Sequence, residues 1–275
     1  MNGLSMSRAL TVMLAVMALA LCCVPDPAAA QTRPEFINFQ GRTKAALYKP
    51  DAGPAPHVGI LVMHRTSNYL AHRACTELSR RGFLMLCMNT RYENNEAAVD
   101  FEKLPLDVKA GVEFLRRQNG ISKVVLFAHS GGGPLMALYQ AVAEKGPSYC
   151  KGPEKLTECG DDLAGLPRAD GIVFADAHPG NAINTLRSWL SMWSLETSQA
   201  RSELHLAQLT MPALVIQATA DSGVFPSDAD TIYAQIAAPD KTRLDIKGEH
   251  YFRDRPGGRD EVASAIADWI APRRG

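Results

Sequence analysis

"VVLFAHSGGGPLMAL", Val124 to Leu138, is an unbroken apolar run that stops at a serine, passes through three consecutive glycines and resumes as a second apolar run. The first part reads as a strand covered on both faces, and the second as a helix. A strand-to-helix reversal needs one or two small residues, not three. Three glycines beside Ser130 imply that other groups approach the backbone closely at that point.

Similar apolar runs lie on either side. "HVGILVMH" (His57 to His64), "FLMLCMN" (Phe83 to Asn89), "GIVFADA" (Gly171 to Ala177) and "ALVIQAT" (Ala213 to Thr219) read as buried strands. "TRLDI" (Thr242 to Ile246) reads as a last strand, and "EFINF" and "KAALYKP" as short edge strands. Between them the pattern predicts helices at Tyr69 to Arg81, Leu106 to Gln118, Pro134 to Glu144, Asn181 to Leu209, Asp228 to Ile236 and about Asp260 to Ile270. Val108, Val112 and Leu115 share one face of the second helix. Asn94 to Glu102 is polar and reads as loop. This alternation predicts an α/β fold, a mainly parallel twisted sheet with helices on both faces. In such sheets the functional groups gather beyond the carboxyl ends of the strands.

The 275 residues carry a formal net charge of zero, which removes the electrostatic case for nucleic acid or an anionic membrane surface. Arg8, an uncharged run from Ala9 to Val24 and Ala28-Ala29-Ala30 describe a secretory signal peptide over 1–30, leaving a mature domain over 31–275 with no membrane span. A retained anchor, or lipid attachment at Cys22 or Cys23, is the alternative reading. Secretion or export to the periplasm puts the remaining cysteines in an oxidising place. Cys150 and Cys159 sit in "GPSYCKGPEKLTECGDD" and predict a disulfide-clipped insertion over about 146–168; a pairing of Cys75 with Cys87 stays open. No Cys/His spacing matches a zinc site, and no Lys-Ser/Thr follows the glycines as in a phosphate-binding loop. No metal or cofactor is implied.

Three predicted strand ends carry chemistry: Ser130, Asp221 and His250, in "KGEHYF". A serine hydroxyl needs a base to take its proton, and the base needs an acid to fix its tautomer. Asp228 and Asp230, at the start of the next helix, are the fallback acids.

Ala128-His129-Ser130-Gly131-Gly132 resembles the G-x-S-x-G nucleophile elbow of the α/β-hydrolases, with alanine in the place of the first glycine. With Asp221 and His250 following in that family's order, the resemblance extends from about Phe36 to Ile270 and is to its serine-esterase, lipase and dienelactone-hydrolase branches. It implies that Ser130 is the nucleophile, His250 the base and Asp221 the acid, with the N–H of Gly131 facing the oxyanion. It also implies a second oxyanion donor in "VMHRTSNYL", from the N–H of Thr66 or Arg65, with His64 propping that loop. Arg65 can also place a cation at the site mouth. The segment at 181–209 falls where this family carries a lid, so Trp189, Met192 and Trp193 are candidates for substrate contact, as is His178 of "DAHPG". The expected activity is cleavage of a small carboxylic ester or lactone through an acyl-enzyme. The alternatives are an amidase or peptidase with the same triad, and a non-catalytic binding protein on the same fold. An aspartate-nucleophile dehalogenase or epoxide hydrolase is excluded by the serine.

Overall fold

Alternating apolar runs become eight strands of one sheet: β1 (Glu35–Phe39), β2 (Thr43–Tyr48), β3 (Val58–Met63), β4 (Leu84–Met88), β5 (Lys123–Ser130), β6 (Gly171–Ala177), β7 (Ala213–Ala218) and β8 (Lys241–Ile246). Across the sheet they run β1-β2-β4-β3-β5-β6-β7-β8. All pairs from β4 to β8 are parallel, while β2 is antiparallel to both β1 and β4. The computed structural model describes residues 33–39, 43–153, 157–180 and 205–273.

The helices are α1 (Arg73–Ser79), α2 (Leu104–Arg116), α3 (Gly132–Lys145), α4 (Pro226–Gln235) and α5 (Gly258–Ile270). Successive residues of β5 feed opposite cores, because strand side chains alternate. Leu126 and Ala128 pack with Val108, Val112 and Leu115 of α2 and with the apolar residues of α3 and α4. Val125 and Phe127 pack with Leu78 of α1 and with Ile266 and Trp269 of α5. Each fully buried branched or aromatic side chain contributes about 1.5–3 kcal/mol. That two-sided burial holds β5, and with it Ser130, near the middle of the sheet.

Four elements differ from the sequence reading. "KAALYKP" is an inner strand, because β1 covers its outer edge. α1 begins at Arg73 rather than Tyr69. His72 caps it by accepting the Ala74 N–H at Nδ1 (3.3 Å), and Tyr69 is turned inward instead, its hydroxyl 2.7 Å from His129 Nδ1. β5 runs on to Ser130, and α3 starts at Gly132, so almost nothing separates strand from helix. The polar stretch 94–102 contains two short 3-10 turns that bury Phe101.

Disulfides join Cys150 to Cys159 and Cys75 to Cys87; the second, left open by the sequence, ties α1 to β4. No helix among the described residues is long and apolar enough to cross a membrane. The predicted signal segment lies outside the described residues, as do Trp189, Met192, Trp193 and nearly all of the predicted lid. Within them, Leu206–Gln208 forms a 3-10 turn with Leu206 and Leu209 buried.

Candidate active site

Five parallel strands deliver side chains to one rim. β3 ends before His64, Arg65 and Thr66, β5 ends on Ser130, and β6 leads through Asp176 to His178. Asp221 follows β7 and His250 follows β8.

Ser130 has φ +53, a left-handed conformation that costs a non-glycine residue about 1–3 kcal/mol and persists only where the surroundings enforce it. The enforcement comes from crowding. A Cβ at Gly131 would stand 2.6 Å from His64 Nε2, one at Gly132 would stand 2.5 Å from the Met63 carbonyl oxygen, and one at Gly133 would stand 2.9 Å from the His178 carbonyl oxygen. Gly131 itself has φ −67, which any residue adopts. The triple glycine is therefore a matter of space: α3 starts pressed against the ends of β3 and β6. The β5–β6 register also shifts between His129 and Ser130: His129 pairs with Ala175 and Ser130 with Ala177, which leaves Asp176 as the extra residue of a bulge beside the serine.

Asp221 is buried and well anchored. Its Oδ1 accepts the N–H groups of Gly223 (2.7 Å) and Val224 (2.9 Å), and its Oδ2 accepts His250 Nδ1–H at 2.6 Å. That bond fixes the His250 tautomer and leaves the Nε2 lone pair available. Burial pushes the Asp221 carboxyl up, but the bonds from His250, Val224 and Gly223 outweigh it and hold it below its ordinary value. Burial pulls His250 down, and the bond and charge of Asp221 outweigh that and raise it above its ordinary value. Ser130 Oγ makes no hydrogen bond to His250 in this structure. Such links are often long without substrate and tighten in the complex. Of the fallback acids, Asp228 caps α4 by accepting the Phe225 N–H, and Asp230 pairs with Arg243.

The loop after β3 departs from expectation. The Thr66 N–H donates to His64 Nδ1 (3.1 Å), as does the Ser67 N–H (2.9 Å). The expected Thr66 donor is thus already engaged. A ring nitrogen that accepts two N–H groups cannot carry a proton, so the His64 proton sits on Nε2, beside Gly131. Burial, followed by the charge of Arg65, pushes His64 down to about 3, so the ring is neutral at ordinary pH. Nε2–H has no hydrogen-bond partner among the described residues. Arg65 does not present a lone cation at the mouth. Its Nη1 is 2.6 Å from Glu96 Oε2, and Glu96 also accepts the Thr66 hydroxyl.

His178 comes to the same rim. Its Nδ1 accepts the Gly180 N–H (3.1 Å), and burial, then the charges of Arg65 and His250, push it down to about 3. His129 lies behind Ser130, its ring centroid 4.9 Å from that of His250.

Asp176 was not foreseen as a site residue. It is fully buried, with φ +42; Oδ1 accepts the Ala218 N–H at 2.6 Å, and Oδ2 has no partner. Burial pushes its carboxyl up to about 7. The signal in the sequence was an aspartate at the end of an otherwise apolar strand. The ligand atoms of His129, Asp176 and His250 lie within 4.8 Å of one another. They make a poor metal set, because His129 is already bonded to Tyr69 and to the His250 backbone, and His250 to Asp221.

No family model matches the sequence, and no curated protein does. Solved structures do. Est1E from Butyrivibrio proteoclasticus is 14% identical, with TM-score 0.61, over 87% of this chain and 98% of that one. A sugar hydrolase from Lactococcus lactis is 15% identical, with TM-score 0.62, over 87% and 98%. An acylaminoacyl peptidase from Pyrococcus horikoshii is 12% identical, with TM-score 0.63, over 92% of this chain and 43% of that one. These are α/β-hydrolase structures, and the strand order here matches the likeness: the chain has the α/β-hydrolase fold.

Proposed function

We propose that this chain is an exported serine hydrolase that cleaves a carboxylic ester or lactone through an acyl-enzyme. The observation that carries the proposal is the short Asp221–His250 bond on the same rim as a serine in a strained strand-to-helix turn.

Ser130 Oγ attacks the carbonyl carbon while His250 Nε2 takes its proton. Asp221 holds the opposite ring N–H and stabilises the imidazolium that forms. The carbonyl oxygen becomes an oxyanion beside the Gly131 N–H. With the Thr66 N–H spent on His64, the second donor moves to the Arg65 N–H and to His64 Nε2–H, a neutral donor whose tautomer is fixed from its other side. His250 then protonates the leaving alcohol, and water repeats the sequence to release the acid. Trp189, Met192, Trp193 and His178 remain proposed substrate contacts.

Export rests on the N-terminal pattern, together with the two disulfides of the described domain. A peptidase reading has support from the acylaminoacyl peptidase likeness, which is one of fold. Turnover of a panel of p-nitrophenyl esters, lactones and anilides by the wild type and Ser130→Ala tests the proposal. Esters or lactones should be cleaved and Ser130→Ala should lose nearly all turnover. Cleavage of anilides alone would favour the peptidase reading, and full activity in Ser130→Ala would end the serine mechanism.

A further inference from the structure

A cavity of about 270 Å³ opens on the α1–α5 face of the sheet, with His129 and His250 among its lining residues. Its apolar lining includes Leu78, Phe127, Val262 and Ile266, and His72 and Glu77 line it as well. Among the described residues, Ser130, Gly131 and His64 do not line it, so it is not the space in which the serine meets its substrate. Its two ends are polar. At the inner end stands Asp176, fully buried, with Oδ2 unpartnered. A buried oxygen without a partner calls for a donor.

At the outer end stands Arg259. Its Nε–H donates to the Tyr251 carbonyl (3.1 Å), and among the described residues no carboxylate pairs with it. The neighbouring arginines are taken: Arg73 and Arg80 by Glu77, and Arg255 by Glu261. Beyond Arg259 the cavity adjoins a surface basin, with Arg73, Glu77, Phe252 and Arg259 common to both. The basin is lined by five arginines, Arg73, Arg80, Arg253, Arg255 and Arg259, against two acids, Glu77 and Asp260. Arg253 and Arg255 pair with Glu249 and Glu261 from outside that lining, so Arg259 is the basin's cation left to hold an anion among the described residues.

We propose that this cavity is a second ligand site for a hydroxycarboxylic acid with an apolar spacer, its carboxylate on Arg259 and its hydroxyl on Asp176 Oδ2. A plain fatty acid would satisfy the arginine and the walls but would leave Asp176 unpartnered. A phosphate would demand more than one unpaired cation. A hydroxy acid matches both ends and the middle. The site stands on the cavity alone and does not depend on the hydrolase reading.

The test is calorimetric titration with ω-hydroxyhexanoate and with hexanoate, on the free protein and on protein phosphonylated by a fluorophosphonate. Both acids should bind saturably, and phosphonylation should change neither. The hydroxy acid should bind roughly tenfold more tightly, the worth of one added hydrogen bond. Arg259→Ala should weaken both acids by roughly tenfold or more. Val262→Trp, at a partly buried wall position, should abolish both, with melting temperatures checked for each variant. Equal affinity for the two acids would overturn the Asp176 assignment. Binding lost on phosphonylation, absence of saturation, or indifference to both variants would overturn the site. If the fluorophosphonate fails to label, the hydrolase proposal is the one in trouble, and the two variants still report on the cavity in unlabelled protein.

Discussion

Acidification should destabilise this fold steeply, through histidines rather than carboxylates. His64 and His178 are pushed down to about 3 and His72 to about 4, and His129 lies well below its ordinary value, in each case chiefly by burial. The unfolded chain takes these protons near pH ~6.5, and the folded chain does not until far lower. A group whose folded pKa is depressed contributes stability above its unfolded pKa and loses it as pH falls toward the folded one. Lowering the pH from about 7.5 to about 5.5 therefore costs about 1.4 kcal/mol for each of His64, His178 and His72, or about 4 kcal/mol for the three, and His129 adds in the same direction. Asp176 opposes this. Its carboxyl is raised to about 7, so the folded state binds that proton first and recovers about 2 kcal/mol over the same range. His250, raised above its ordinary value, has the same sign as Asp176. The histidines and the aspartate with the largest shifts leave a net loss of about 2 kcal/mol, with His129 and His250 acting in opposite directions, a sizeable fraction of the 5–15 kcal/mol typical of a domain. Urea denaturation at a series of pH values measures it, and Asp176→Asn should steepen the loss. A stability that stays flat between about pH 7.5 and 5.5 would refute the reasoning, because it would mean that these rings titrate as freely as in the unfolded chain.

Other outcomes follow from the site. Asn places an acceptor where His64 has Nδ1 but has nothing where it has Nε2–H, so His64→Asn should keep the loop folded and still lose roughly 10- to 100-fold in kcat, with KM little changed. Wild-type kcat in His64→Asn would return His64 to a purely propping role. A Cβ at Gly131 would meet an imidazole pinned from its far side by two N–H groups, so Gly131→Ala should cut kcat by roughly tenfold or more with a small change in melting temperature. The acid limb of kcat/KM should fall at a pH above the ordinary histidine value, since Asp221 raises His250, and Asp221→Asn should move that limb downward as well as lowering the rate. An acid limb that does not move in Asp221→Asn would detach it from this pair.

Much of this molecule was legible in its sequence because buried parallel strands are written as continuous apolar runs, and their ends are where chemistry collects. Ser130, Asp221 and His250 were visible as polar residues at such ends, in an order familiar from one fold. The occupants of the triple-glycine space were not visible. Only the folded chain brings the Met63 carbonyl, the His64 ring and the His178 carbonyl to those three positions. The Thr66 N–H looked available because a side-chain nitrogen two residues earlier had no predictable orientation; in the fold it captures that N–H. The position of Arg65 suggested a cation, and its partner Glu96 lies in a stretch read as plain loop. Asp176 escaped notice because its significance is burial without a second partner, a property of packing rather than of spacing.

The central claim is that Ser130 is a nucleophile driven by His250. Peptide mapping after reaction with a fluorophosphonate tests it most directly. A single adduct should form on Ser130, and far more slowly in His250→Ala. An adduct on another residue, or none in a protein that still turns over esters, would contradict it.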